Sequence, residues 1–389
     1  MVSAGNERAA LEAALQDILE GAATDDTVAR VLRALPLDRA GRRRVATTLF
    51  RASVLRLRLA WLARSQRPAD LLDALAAEPV AHPSWPADPI ERVVVERSCP
   101  RWLVERLAAS LGLPGTDAFL AASNAPGPKT LRTNALLTTR EALARQLLEE
   151  GIETTPGALS PWSLHVIEDD DDDAPRANLR GSQAWRDGLF EVQDESSQLC
   201  ALACAARPGE VVVDLCAGRG GKALALAACM ASNGERGELW LHDVDERALA
   251  DAEARLRRAG VSLARRGLPP QGAADLVLVD APCSSLGPLR RSPDLRYRLR
   301  PEELEALPTR QRQLLAQGAT LVRPGGRVVY ATCTVLREEN EAVVAASGLK
   351  LESARTLRPD VEGCDGFFIA SVGRAPSATN PLRTSGLGH

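Results

Sequence analysis

No stretch of the 389-residue sequence stays apolar for the roughly 18 to 20 consecutive residues that a membrane-spanning helix requires, although hydrophobic residues make up 45% of the chain. A soluble protein without a membrane partner is expected. The opening residues, MVSAGNERAALEAAL, mix acids and bases ahead of any apolar segment and lack the pattern of a secretory signal, so a cytoplasmic location is the default. There are eight cysteines but no C-x-x-C pair and no regular cysteine spacing, which argues against a disulfide scaffold and a structural zinc site. No metal is expected, and some thiols are free for chemistry. A basic excess is missing too, since the net charge is -3. The distribution is nevertheless uneven: Arg30, Arg33, Arg39, Arg42, Arg43, Arg44, Arg51, Arg56, Arg58, Arg64 and Arg67 share their span with a single acid, Asp38, which is the composition of a phosphate-facing surface. Acids gather instead at Asp169 to Asp173, where adjacent like charges predict a solvated loop.

Length alone suggests two or three compact units. From Glu7 to about Ala63 the apolar residues recur at helical spacing (Leu11, Leu15, Ile18, Leu19, then Val28, Val31, Leu32, Leu35), so residues 1–85 read as a small all-helical domain. Glu78 to Pro89 carries four prolines and reads as a linker. Residues 86–189 read as a small α+β module: a helix around Trp102 to Leu111, a strand in TLRTNALL, a helix capped by Thr138 or Thr139 and ended by Gly151, and a returning strand in SLHVIE. From about Glu191 short β-branched runs alternate with helical segments (VVVDL, ELWLHD, ADLVLVD, RVVYATC), the signature of an open parallel sheet covered by helices over residues 190–374. Residues 375–389 read as a disordered tail. No amphipathic stretch exceeds what the core needs, and a monomer is the default expectation.

Such sheets bind ligands beyond the carboxyl ends of their strands, which directs attention to DLCAGRGGKA, Asp243, DAPCSSLG and ATCT. Gly218, Gly220 and Gly221, following Cys216 and Ala217, allow close backbone approach and expose amides at a helix start, which suits an anion. A nicotinamide dinucleotide fold would use similar glycines, but the G-x-G-x-x-G spacing is absent. Lys222, a cation in the first turn, opposes the helix dipole unless an anion is near, and the methionine carboxylate of S-adenosylmethionine could supply it. Asp243 is placed to accept hydrogen bonds from a ribose diol, or else to cap the helix beginning near Glu246. Cys283 and Cys333 each follow a strand end, where a thiolate can be a nucleophile, whereas Cys200, Cys204 and Cys229 on helical stretches read as small core residues.

These residues resemble the Nop/Sun (NSUN) family of RNA cytosine-5 methyltransferases, and within it the bacterial 16S ribosomal RNA enzymes of the RsmB type. The resemblance runs in the family's order through PRWLVERLAASLG, LRTN, DGLFEVQDESSQL, DLCAGRGGKA, DAPCSSLGPLRRSPDLRYR, PGGRVVYATCTVLREENE and DGFFIA. The helical amino-terminal part is similar to a shortened NusB-like RNA-binding domain. The resemblance implies a Rossmann-like methyltransferase domain and S-adenosyl-L-methionine held by Cys216, Ala217, Gly218, Gly220, Gly221, Lys222, Asp243 and Asp280. It implies an RNA partner, ribosomal rather than transfer RNA. It further implies Cys333 of the T-C motif as nucleophile toward cytosine carbon 6, Cys283 of the P-C motif in breakdown of the adduct, and Asp280 at the cytosine edge. Arg290 to Arg300 is expected to form a phosphate-binding wall. The sequence departs from the family pattern at Arg219, where proline is usual, and at Ser285 and Leu286, where glycine followed by threonine or leucine is usual. The 263–275 stretch lacks the acid expected to contact the adenine amine. That absence motivates an alternative, a non-catalytic RNA-binding or ribosome-assembly protein on the same fold. A dinucleotide-dependent oxidoreductase is a third class.

Overall fold

The computed structural model describes residues 4–77, 85–167, 178–231, 237–262 and 264–373. The acidic run, the carboxy-terminal tail and most of the proline-rich linker lie outside the described residues.

Five helices, Ala4–Leu19, Thr24–Ala34, Arg39–Val54, Arg56–Ala63 and Pro68–Ala76, bury the periodic apolar positions Leu11, Leu15, Ile18, Val28, Val31, Leu49 and Leu72 in one core. Several arginines in this region find acids elsewhere in it: Arg30 pairs with Asp17, Arg44 with Glu7 at 2.8 Å and Arg67 with Asp70 at 2.8 Å. The basic excess of the stretch is thus smaller than its local composition suggests. Asp88 accepts a hydrogen bond from the Glu91 amide at 2.7 Å and starts the helix Pro89–Glu96 with proline in its first turn. The helix expected around Trp102 extends over Arg101–Ser123, broken at Gly112 where φ is 71°.

A four-stranded antiparallel sheet follows, built from β1 (Thr130–Thr133), β2 (Thr154–Pro156), β3 (Ser163–Val166) and β4 (Phe190–Val192) in the order β2-β3-β1-β4. Thr139 caps the helix Arg140–Glu149 through the Ala142 amide at 3.2 Å. The change of pattern near residue 190 falls inside β4, which pairs with β1 and so belongs to this smaller sheet.

The larger sheet contains β5 (Val211–Asp214), β6 (Glu238–Leu241), β7 (Ala264–Arg266), β8 (Ala274–Asp280), β9 (Val322–Thr332), β10 (Lys350–Leu357) and β11 (Phe367–Gly373), in the order β10-β11-β9-β8-β5-β6-β7. The strands from β9 to β7 are parallel, and the order reverses at β5, so a crevice opens above β5, β6 and β8. The sheet is not wholly parallel: β11 runs antiparallel to β9 and to β10. One face packs on the helices Glu195–Ala203, Gly221–Met230 and Glu246–Arg258, and the other on Pro301–Leu321 and Glu341–Ala346. This is a Rossmann-like architecture. Cys200 and Cys204 are fully buried in the first of these cores and Cys229 packs against it, as their helical positions predict.

Candidate active site

Each candidate residue sits beyond the carboxyl end of a parallel strand. Because β8 and β9 pair in parallel with Asp280 opposite Ala331, their loops leave the sheet side by side. They are joined again by the Gly287 amide, which donates to the Cys333 carbonyl at 2.9 Å. Only glycine fits at 287, since a Cβ there would lie 1.8 Å from the Gly366 carbonyl oxygen. The outcome is that Cys283 Sγ and Cys333 Sγ lie 3.3 Å apart, both half-buried.

A buried polar network fixes this arrangement. Glu339, fully buried, accepts from the Ser284 amide at 2.9 Å, from the Ser284 hydroxyl at 2.5 Å and from Gln311 Nε2 at 2.9 Å. Gln311 also donates to the Pro282 carbonyl at 3.0 Å, and Ser284 bonds Thr334 at 2.8 Å. Burial raises the Glu339 carboxyl above its ordinary value despite these donors. The two thiols are electrostatically unequal. The hydrogen bond from Cys283 lowers the Cys333 thiol below its ordinary value, and the same bond, with burial, raises Cys283. Cys333 is therefore the better thiolate and Cys283 the proton holder.

On the other side of the cleft, Gly218 and Gly220 adopt φ of 50° and 74°, and Gly220 opens the helix Gly221–Met230. A Cβ at Gly220 would approach Ala252 Cβ to 2.9 Å, so the turn both bends and packs tightly. Cys216 lines the cleft with its thiol raised to about 12 by burial, which leaves it inert, and Ala217 is buried. Asp243 does not cap the following helix. That is the task of Asp245, which accepts from the Arg247 and Ala248 amides, while Asp243 Oδ2 accepts from the Gly218 amide at 2.8 Å and braces the glycine turn. Lys222 meets an anion within the protein: its Nζ donates to Asp280 Oδ2 at 2.6 Å. Burial alone pulls the ammonium down, but Asp280 outweighs it and holds Lys222 above its ordinary value. The helix-dipole conflict at Lys222 is thus resolved without a ligand.

The expected arginine wall is a misreading. Arg290 is buried against Asp365 and Asp194, and Arg291 bonds the same two acids at 2.6 and 2.7 Å. Arg296 is fully buried and donates to Asn124 Oδ1 at 2.7 Å and to the carbonyl of Arg97 at 3.2 Å. These guanidiniums anchor the cysteine loop, and of the segment's arginines only Arg298 and Arg300 are exposed. Asp275 is likewise structural, bonded to the Val211 amide at 2.8 Å and to Arg323 at 2.5 Å, so it takes no part in the cleft.

Three residues escaped the sequence. Asp214, the end residue of β5, is fully buried with neither carboxylate oxygen in a well-formed hydrogen bond, the Cys216 amide favouring its anion only weakly. Burial, with Asp280 second, raises it to about 7. Arg310 lines the cleft from the helix Pro301–Leu321, opposite Asp243 and Val244. Arg132 of β1 reaches across to the Gly221 carbonyl, tying the small sheet to the glycine turn, and burial lowers its pKa to about 10.

The carboxylates of Asp243 and Asp280 line an open cleft of about 220 Å³ that also carries Leu215, His242, Pro282 and Leu314, while Asp214 is buried and does not line it. A polar acceptor set left incompletely bonded beside apolar walls fits a cationic sulfonium carrying a ribose and a purine.

Comparisons with known proteins point to one family. Residues 201–357 match the family model for 16S rRNA methyltransferase RsmB/F, and residues 99–169 match the ferredoxin-like domain of RsmF/B-like methyltransferases. The chain is similar to the probable ribosomal RNA small subunit methyltransferase B of Bacillus subtilis, 32% identical over 73% of this chain and 68% of that one. It belongs to the RsmB family. A second relative, the ribosomal RNA small subunit methyltransferase B of Xylella fastidiosa, is 35% identical over 70% of this chain and 68% of its own length. A methyltransferase homolog protein from Pyrococcus horikoshii shares the fold, with a TM-score of 0.63 at 23% identity over 75% of this chain and all of that one. Membership carries S-adenosylmethionine as the methyl donor, which removes the dinucleotide reading.

Proposed function

We propose that the protein methylates carbon 5 of a cytosine in 16S ribosomal RNA through a covalent adduct on Cys333. The observation that carries the reading is the pair of sulfurs 3.3 Å apart, with the proton favoured on Cys283 and the anion on Cys333.

Carbon 5 of cytosine is a weak nucleophile. The Cys333 thiolate adds to carbon 6, a C–S bond forms, and the displaced ring electron pair makes carbon 5 enamine-like. Asp280 and the Lys222 ammonium bonded to it meet the cytosine edge, where the protons of that pair offset negative charge pushed onto ring nitrogen 3. Bound S-adenosylmethionine supplies a methyl group that carbon 5 takes without its electron pair. Asp243 would hold the ribose diol of that cofactor, and Cys216, Ala217, Gly218, Gly220, Gly221 and Lys222 would hold its methionine end. Loss of the carbon 5 proton to solvent then restores the ring double bond as the C–S bond breaks and the electron pair returns to sulfur. Cys283 assists by donating its hydrogen bond to the departing sulfur, because a thiol of lower pKa leaves faster.

Cys333→Ala abolishes transfer of labelled methyl to 16S RNA, whereas Cys283→Ala accumulates covalent RNA. Wild-type activity in Cys333→Ala removes the reading. One observation favours a second reading, a non-catalytic RNA-binding protein: no acid stands in residues 267–273, beside the expected adenine position. Calorimetry with S-adenosylmethionine separates the two, since saturable binding removes the reason for the second.

A further inference from the structure

Four non-glycine residues among those described have a clearly positive φ: Arg64, Ser98, Ala205 and Ser285. The first three lie at or just beyond helix carboxyl ends, after Arg56–Ala63, Pro89–Glu96 and Glu195–Ala203, where a left-handed residue is the ordinary way to stop. Ser285, at φ 56°, has no such explanation. It sits in the middle of the loop after β8, with no helix to terminate. A side chain held in this region stores strain, and strain of this kind persists where the surroundings impose it.

What the conformation achieves is visible at the sulfurs. The Ser285 amide favours the Cys283 anion, and the Ser285 hydroxyl lies 3.5 Å from Cys333 Sγ and 3.5 Å from the Cys283 carbonyl oxygen. A glycine would supply the same amide without strain, so the hydroxyl is what the serine adds. We propose that Ser285 is a third member of the thiol centre, whose hydroxyl activates Cys333 by hydrogen-bonding its sulfur. With Cys333 protonated, the S–H donates to Ser285 Oγ, and the hydroxyl donates to the Cys283 carbonyl. When the proton leaves to solvent, the hydroxyl rotates and donates to the anionic sulfur. One small rotor thus serves both protonation states. The inference rests on Cys333 being the reactive thiol, as proposed above.

The other groups acting on Cys333 are the Cys283 thiol, Asp280, which disfavours the anion, and Lys222, which favours it. None changes on substitution of Ser285. The test is the rate of iodoacetamide alkylation of the full-length protein against pH, mapped to Cys333 by mass spectrometry, in wild type, Ser285→Gly and Ser285→Ala. Both variants lack the hydroxyl, but only glycine relieves the backbone. The midpoint for Cys333 moves up in pH by roughly 0.5 to 1 in both, the effect of about one hydrogen bond of ordinary net strength. The Tm rises in Ser285→Gly alone. Methyl transfer falls severalfold below the midpoint and recovers at high pH, a pattern that a merely structural role does not produce. Unchanged midpoints in both variants overturn the proposal. Alkylation needs neither RNA nor cofactor, so that result leaves the catalytic reading to its own test, the activity of Cys333→Ala.

Discussion

The two ends of the cleft are built on opposite principles. At the cysteine end the polar groups of Ser284, Thr334, Glu339 and Gln311 are interlinked, and the loop is clamped by Arg290 and Arg291 on Asp194 and Asp365. At the donor end Asp214 is buried with its oxygens largely unsatisfied, and Asp243 and Asp280 each spend only part of their bonding capacity within the protein. Chemistry requires atoms held in place, and binding requires polar atoms left over. The difference teaches which end positions and which end waits for a ligand.

The comparison makes predictions that differ in size. The largest concerns the clamp. Asp365→Ala leaves Arg290, 6% exposed, beside a single remaining acid, and costs about 3–5 kcal/mol of unfolding free energy in urea titration. A loss below about 1 kcal/mol would mean that the clamp is dispensable. Next comes Asp214, where the sign is opposite. Its carboxyl is raised from 3.8 to about 7 in the folded chain, so the folded state binds the proton more tightly than the unfolded one. Stability from this group is present below about pH 4 and is lost as pH rises toward 7, by an amount on the order of a few kcal/mol. Asp214→Asn therefore unfolds at higher urea than wild type at pH 8 and shows no such advantage near pH 4. Equal stability of the two proteins at pH 8 contradicts the contrast between the ends. The smallest effect is at Thr334, one node of a redundant network. Thr334→Val keeps the shape, loses the bond to Ser284 and costs about 1 kcal/mol in the same titration.

Much of this was legible in the chain, and for physical reasons. The central strands β5 and β8 are short runs of mostly buried branched residues, and the ends of β6 and β8 direct attention to Asp243 and Asp280, although no pattern singles out Asp214 at the end of β5. The edge strands are not legible in the same way. β7 is Ala-Arg-Arg, and six of the eight residues of β10 are exposed at the rim of the sheet, so neither carries an apolar signal. Arg290, Arg291 and Arg296 look like a nucleic-acid surface because composition reports charge and not burial. Their partners Asp194, Asp365 and Asn124 are scattered far along the sequence. The strain at Ser285 is a backbone property, and its one trace in the sequence is a serine where the family usually has glycine.

The central claim is a covalent bond between Cys333 and cytosine carbon 6, and a trapped adduct tests it most directly. RNA carrying 5-fluorocytidine cannot lose the carbon 5 substituent as a proton, so the adduct persists after methyl transfer. Wild-type protein incubated with this RNA and S-adenosylmethionine yields a complex that survives denaturing electrophoresis and maps to Cys333, and Cys333→Ala yields none. A complex that forms equally in Cys333→Ala, or that maps to Cys283, contradicts the account.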